Sequence, residues 1–320
     1  MSQRPSDSLA DKVVTVLGGS GFVGRHLAQE LLARGARLRI VSRDPQRAYA
    51  IRPLGNLGQV QFARGDVTKR ASLAEVLAGS DAVVNLVGAF RGDLDALQGE
   101  GAGHIAAAAR AAGAEAFVHI SAIGGNADSD VDYARTKAEG EAAVRAAFPS
   151  ATILRPALLF GPDDNFVMML GGLIARWPVL PVFAPEAKLQ PLFVDDAAEA
   201  IANALSDPLA HGGRIYEIAG PEVVTMLELN HRIAAAECRA RNFIALPDSV
   251  GGVIATATGW LPGAPITGDQ YKLLRAGSEA GGQVPGLSEL GVNPRPLGLF
   301  LDRWMVQFRK HGRFGTKQAV

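Results

Sequence analysis

Tyr133 and Lys137 stand four residues apart in the run Tyr133-Ala134-Arg135-Thr136-Lys137. On a helix that spacing puts both side chains on one face. A lysine cation beside a phenol favours phenolate and is expected to lower the tyrosine pKa. Tyr133 would then exchange a proton with a substrate oxygen. Ser121 lies twelve residues upstream, at the end of Phe117-Val118-His119-Ile120-Ser121, and is the third candidate for that chemistry. A tyrosine packed at a helix start with a solvated lysine would give the same pattern, so the pair depends on its surroundings.

Those surroundings begin at Val13. Val13-Val14-Thr15-Val16-Leu17 has the composition of a parallel strand buried on both faces. Gly18, Gly21 and Gly24 follow, and Phe22, Val23, Leu27, Ala28, Leu31 and Leu32 then recur at helical spacing. A strand turning on glycines into a helix offers free backbone N–H groups and a positive dipole end, which suit a pyrophosphate. Gly18 would allow the tight turn, Gly21 the approach of the ligand, and Gly24 the packing of helix on strand. The spacing is G-x-x-G-x-x-G.

A second strand over 38–41 ends in Ser42-Arg43-Asp44, at the place that selects the dinucleotide. An acidic side chain there would bond the adenosine ribose and repel a 2′-phosphate. Ser42 is small and Arg43 is a forked cation, which favours NADP(H). Asp44 keeps NAD(H) as the lesser alternative. After a third strand over 60–63, Asp66 would either accept from an adenine amino group or bond its own backbone in a turn. A fourth strand over 82–86 leads into Val87-Gly88-Ala89, small enough for a cofactor to pass. Lys137 would then also hold the nicotinamide ribose. Asp195 and Asp196 are expected as an N-cap pair before the helix of 197–205. His26 and His104 are expected as packing or surface residues, and no metal site is expected.

Strands alternating with helices predict a doubly wound α/β fold of the Rossmann type, with a smaller, mainly helical C-terminal lobe. The dinucleotide domain is expected over residues 10–220, with 161–190 contributing to the second lobe, and that lobe over 221–320. The 320 residues are 48% hydrophobic and 20% charged, ordinary for a globular enzyme. Positive and negative side chains number 32 each, which excludes an electrostatic nucleic-acid binder. Cys238 is the only cysteine, so a reducing compartment is expected. The first twelve residues do not resemble a secretory signal. Trp260, Leu261 and a terminal stripe of Phe300, Leu301, Trp304, Met305 and Phe308 would dock on their own domain or touch a partner or membrane face.

In sum of motifs, the chain resembles the atypical short-chain dehydrogenase/reductases, and among them the NADPH-binding accessory subunit of respiratory complex I and its bacterial relatives. The resemblance rests on Gly18-Gly19-Ser20-Gly21-Phe22-Val23-Gly24-Arg25, on Asn85-Leu86-Val87-Gly88 and on the runs at 117–121 and 133–141. Arg52-Pro53-Leu54-Gly55-Asn56-Leu57-Gly58-Gln59 is its most discriminating stretch, and Val284-Pro285-Gly286-Leu287-Ser288-Glu289-Leu290-Gly291 closes it. It implies NADPH held more for structure than for turnover, and a respiratory-chain partner. It also implies a hydroxyl residue at the end of the fifth strand in active relatives. Here Ala122 takes that position, and Ser121 precedes it on the opposite face. Losing one oxyanion donor costs about 10²–10³ in rate.

The predicted cofactor contacts are Gly18, Ser20, Gly21, Phe22, Val23, Gly24, Ser42, Arg43, Asp66, Val67, Leu86, Val87, Gly88, Ser121, Tyr133, Lys137 and Pro156. Tyr133, Lys137 and Ser121 are the catalytic candidates. The expected protein is an NADP(H)-binding accessory or weakly catalytic relative. The alternative is an NADP-dependent oxidoreductase or epimerase on a small hydrophobic substrate of quinone or isoprenoid metabolism. A cytoplasmic site, at most peripheral to the inner membrane, is expected.

Overall fold

The computed structural model describes residues 8–258 and 266–314. The chain divides into two compact units. The first takes the chain up to Pro156 together with Val194–Ile218 and Gly281–Asn293, and the second takes Ala157–Phe193, Ala219–Ala280 and the chain from Pro294 onward.

The first unit is built on seven strands: β1 (Val13–Leu17), β2 (Arg37–Ser42), β3 (Val60–Arg64), β4 (Ala82–Asn85), β5 (Ala116–Ile120), β6 (Thr152–Pro156) and β7 (Ile215–Ile218). They pair in the order β7-β6-β5-β4-β1-β2-β3, all parallel. The order reverses at β1, whose neighbours are β2 and β4, and a crevice therefore opens beyond the carboxyl ends of β1 and β4.

The helices of this unit are α1 (Phe22–Ala33), α2 (Arg70–Leu77), α3 (Glu100–Ala111), α4 (Asp132–Ala147) and α5 (Val194–Ser206). Leu17, Val83 and Phe117 of the sheet form one buried cluster with Leu73, Leu77, Ile105, Ala109, Val144 and Phe148 of the helices and the segment after α4. α3 and α4 meet through small residues. A Cβ on Gly103 would lie 2.8 Å from that of Ala143, so neither helix tolerates bulk at the crossing. A single π-helical turn, Asp95–Gly99, precedes α3.

The discriminating R-P-L-G-N-L-G-Q stretch closes a 3₁₀ helix, Pro45–Leu54, and turns back into β3. Arg52 lies over the rings of Tyr49 and Phe62, and Gln59 donates to the carbonyl of Ala36 at 2.9 Å. A Cβ on Gly55 would lie 2.8 Å from Val60. These residues hold a turn.

The second unit carries helices at Phe166–Arg176, Met226–Ala236, Asp248–Thr258, Gly268–Ala276 and Gly298–Trp304. Periodicity did not reveal its three two-stranded sheets, which join Leu159–Phe160 to Leu192–Phe193, Val179–Val182 to Asn242–Ala245 and Lys188–Leu189 to Val224–Thr225. The terminal stripe docks within this unit. Phe300 stacks on Phe193 at 4.1 Å, Trp304 packs against Phe160, and Leu301 and Met305 are buried. Trp260 and Leu261 lie outside the described residues. Among the described residues no helix is long and apolar enough to cross a membrane, and no group of three His, Cys, Asp or Glu is placed to hold a metal ion.

Candidate functional site

β1 runs into Gly18, whose φ of 75° lies in the left-handed region and lets the chain turn at once. Its N–H donates to the Val41 carbonyl at 3.0 Å. A Cβ there would stand 3.1 Å from the Leu86 carbonyl carbon and 3.2 Å from the Val87 nitrogen. Gly18, Leu86 and Val87 are therefore brought together at the sheet's reversal point. Gly24 differs from the expectation. A Cβ on it would lie 2.5 Å from both Cα and the carbonyl carbon of Gly19, so it makes room for the glycine turn itself and not for the strand.

α1 starts from Gly21 with no side chain capping it and no acidic residue in its first turn. Its leading N–H groups thus face the crevice without a resident carboxylate, the arrangement that receives an anion. Ser20, Phe22 and Val23 border this end, and the Phe22 ring meets His26 edge-on at 5.4 Å. Asp195 contacts His26 Nδ1 at 2.5 Å. Asp195 and Asp196 lie inside the first turn of α5, where their charge suits the helix dipole, not at the expected N-cap.

Ser42 ends β2 with its Oγ buried and without a hydrogen-bond partner, and Arg43 beside it is exposed. Asp44 accepts from the Gln46 N–H at 3.2 Å and so caps the 3₁₀ helix. Asp66 takes the turn role: its Oδ1 accepts from the N–H and hydroxyl of Thr68 at 3.1 and 2.8 Å. Those bonds, with the nearby Lys69 and Arg43 charges, hold its carboxyl below the usual range. The Val67 side chain belongs to the buried cluster, which leaves its backbone for any ligand. Pro156 ends β6, and its carbonyl accepts from Ile123 at 3.1 Å.

α4 carries Tyr133 and Lys137. Lys137 is 3% exposed, and its Nζ donates to the Ile120 carbonyl at 3.0 Å. Burial brings its pKa down to about 8, against a smaller opposite pull from Glu141. The Nζ lies 5.9 Å from the Tyr133 ring centroid, and a Cβ on Gly88 would be 3.3 Å from it. The expected lowering of the tyrosine pKa is not found. Burial pushes the Tyr133 phenol up to about 12, and the Lys137 Nζ is turned to the Ile120 carbonyl. Ser121 is 3% exposed and its Oγ has no partner. Ala122 follows it, partly exposed.

Four side chains that sequence reasoning missed complete the site. Asn85 accepts from the Val87 N–H at 3.0 Å and meets His119 Nδ1 at 3.1 Å. Burial brings His119 down to about 3, with Lys137 adding to the effect, so the ring is neutral. Gln98 accepts from the Ala89 N–H at 3.2 Å and donates to Thr136 at 2.8 Å. Phe90 stacks on Tyr133 with centroids 4.6 Å apart and planes at 15°. Nothing in the spacing marked Gln98, which stands among Asp93, Asp95 and Glu100, or Phe90.

This donor set fits a dinucleotide. An uncapped helix end, a turn that a side chain would fill, and two buried hydroxyls without partners line the carboxyl ends of β1, β2 and β5. Residues 18–169 match the family model described as NAD(P)H-binding, and residues 129–250 match the RmlD substrate binding domain. The NADPH-dependent quinone oxidoreductase of Escherichia coli, solved with NADPH, shares the fold at a TM-score of 0.73 and 17% identity, covering 90% of this chain and 98% of its own. The ceramide reductase of Caulobacter vibrioides is 36% identical over 191 residues, 58% of each chain. Subunit 9 of the NADH dehydrogenase (ubiquinone) 1 alpha subcomplex from Rattus norvegicus is 31% identical over 302 residues, 91% of this chain and 79% of its own. With that extent of likeness, the chain belongs to the family of this complex I subunit, as an NAD(P)-binding member of the atypical short-chain dehydrogenase/reductases.

Proposed function

We propose that this chain holds NADP(H) as an accessory module of a respiratory-chain complex, with little or no turnover. The observation that carries this reading is the end of β5. By the family resemblance Ala122 takes the place of the hydroxyl that would polarise a substrate carbonyl, and the Ser121 hydroxyl beside it is buried and unpartnered. A cofactor cradle without an oxyanion donor suits retention over chemistry. Arg43 and Ser42 would receive the 2′-phosphate, the leading N–H groups of α1 the pyrophosphate, and Lys137 the nicotinamide ribose. The respiratory partner is carried over from the name of the rat relative.

The second reading, an NADP-dependent oxidoreductase or epimerase on a small hydrophobic substrate, is favoured by one feature. A phenol pushed up to about 12 stays protonated and can give its proton to a substrate oxygen. When bound, NADPH would supply the hydride. Tyr133 would deliver the proton, and Lys137 would hold the ribose.

The test is to purify the protein gently, identify and quantify its bound dinucleotide, and then add quinones and carbonyl compounds. Stoichiometric NADPH that none of them oxidises is the expected outcome. Oxidation that disappears in Tyr133→Phe, with cofactor affinity unchanged, would establish the second reading in its place.

A further inference from the structure

The segment between β4 and the π-helical turn carries Phe90 on a loop whose two ends are fixed and whose middle is not built into a sheet or helix. At one end Asn85 holds the Val87 N–H, and Gln98 holds that of Ala89. At the other, Asp93 accepts from the Ala96 N–H at 3.0 Å, and Asp95 is paired with Arg135 of α4 at 2.8 Å. Gln98 and Thr136 join the same turn to α4. Between these anchors lie Phe90, Arg91 and Gly92, the last with a φ of 96° that a side chain rarely adopts.

Phe90 is 59% exposed, yet its ring is laid flat on Tyr133. One face is given to the tyrosine and the other to water. Aromatic stacking of one pair is a modest attraction, and a ring held by little else leaves easily. Tyr133 is the residue whose access matters, because Lys137 and Gly88 lie on the same side of the fold.

We propose that Phe90 decides what reaches Tyr133: seated on the phenol ring it closes the site, and a bulky substrate must displace it by moving the stretch from Phe90 to Gly92. The proposal rests on the reading that Tyr133 faces the bound dinucleotide. It predicts a tyrosine that is screened by one mobile ring and not by the core. Removing that ring, already more than half exposed, uncovers the face of Tyr133 on which it stacks.

The experiment is nitration of the intact chain by tetranitromethane at pH 8, with each modified tyrosine located by peptide mass spectrometry. Tyr49, 45% exposed, is the internal standard for an accessible phenol. In the wild type Tyr133 reacts far more slowly than Tyr49. In Phe90→Ala its rate rises about tenfold or more, since each pKa unit recovered on exposure gives tenfold more phenolate. Phe90→Trp, which keeps the stack, restores slow reaction. A Tyr133 that reacts at the Tyr49 rate in the wild type, or whose rate is unchanged in Phe90→Ala, overturns the proposal.

Adding NADPH to Phe90→Ala tests the dinucleotide reading apart from the lid. Renewed protection of Tyr133 supports the dinucleotide reading. Tyr133 uncovered by Phe90→Ala with no NADPH bound leaves the lid standing and refutes that reading alone.

Discussion

The glycine turn follows β1 and the tyrosine helix follows β5, two strands separated by β4, and they are built from different materials. Around Gly18 and Gly24 the working groups are backbone N–H groups, and what fixes them is the absence of side chains. Around Tyr133 and Lys137 the working groups are side chains whose protons are set by burial. A backbone cradle depends on steric fit alone. A half-buried tyrosine with a buried lysine depends on its surroundings, which Phe90 and the Ile120 carbonyl supply. The first is therefore sensitive to added volume, and the second to pH and access.

The largest effect is expected at the cradle. Gly24→Val places carbon atoms against the Gly19 backbone, which has no flexible tip to give way. Overpacking against backbone costs about 3 kcal/mol or more, and it moves the turn that would receive the pyrophosphate. Urea denaturation and NADPH fluorescence titration should report loss of stability together with loss of binding. Gly88→Ala is the contrast. Its Cβ would meet the Lys137 Nζ at 3.3 Å and Gln98 Oε1 and Lys137 Cε at 3.8 Å, side-chain atoms and not backbone, so stability should fall by less than in Gly24→Val. If both variants bind NADPH equally well, the cradle is not built as described.

A smaller effect is expected where the cradle borrows a side chain. Arg43 is exposed at the end of β2, and Arg43→Ala removes the forked cation without disturbing packing. NADPH affinity should fall by about 10- to 100-fold, the size of a charge-assisted phosphate contact. NADH affinity should stay within about twofold. Titration of both dinucleotides against both proteins checks it. An equal loss for both would assign Arg43 to the shared part of the cofactor, and no loss for NADPH would leave Asp44 and NAD(H) as the better reading.

The two regions were unequally legible in the sequence. The cradle could be read because its constraints are local: a buried strand, glycines at fixed intervals and a helical period occupy one continuous stretch, 13–32, and the sheet order follows from βαβ topology. The position of Gly24 against the turn was missed because a spacing does not say which backbone approaches. The Y-x-x-x-K face was also legible, but its electrostatics were not. Whether Lys137 points at Tyr133 or at the Ile120 carbonyl depends on β5, seventeen residues away. Phe90 lies in a loop with no period at all. In the second unit, strands of two residues such as Leu159–Phe160 and Lys188–Leu189 are shorter than any alternation that could announce them.

The subtlest difference between the regions is in their response to pH. Lys137 is 3% exposed, and its pKa is brought down from 10.5 to about 8. Between those values the folded chain has released a proton that the unfolded chain still carries, so stability rises with pH across this window. The slope is at most about 1.4 kcal/mol per pH unit. Below about pH 8 both states carry the proton, and the cost of burying the charge is constant. Tyr133 acts in the opposite sense. Its phenol is pushed from 10.0 up to about 12, so above pH 10 the unfolded chain loses a proton that the folded chain keeps, and stability falls. The pair thus produces a maximum near pH 10. Urea denaturation at pH 7.5, 9, 10 and 11 should show the rise missing in Lys137→Met and the final fall reduced in Tyr133→Phe. The glycine turn has no titrating group of its own, and Gly21→Ala, whose Cβ would meet the Gly18 carbonyl at 3.4 Å, should run parallel to the wild type. A Lys137→Met curve that also parallels the wild type between pH 8 and 10 would mean that the lysine is charged and solvated. The tyrosine region would then lose the burial that distinguishes it from the cradle.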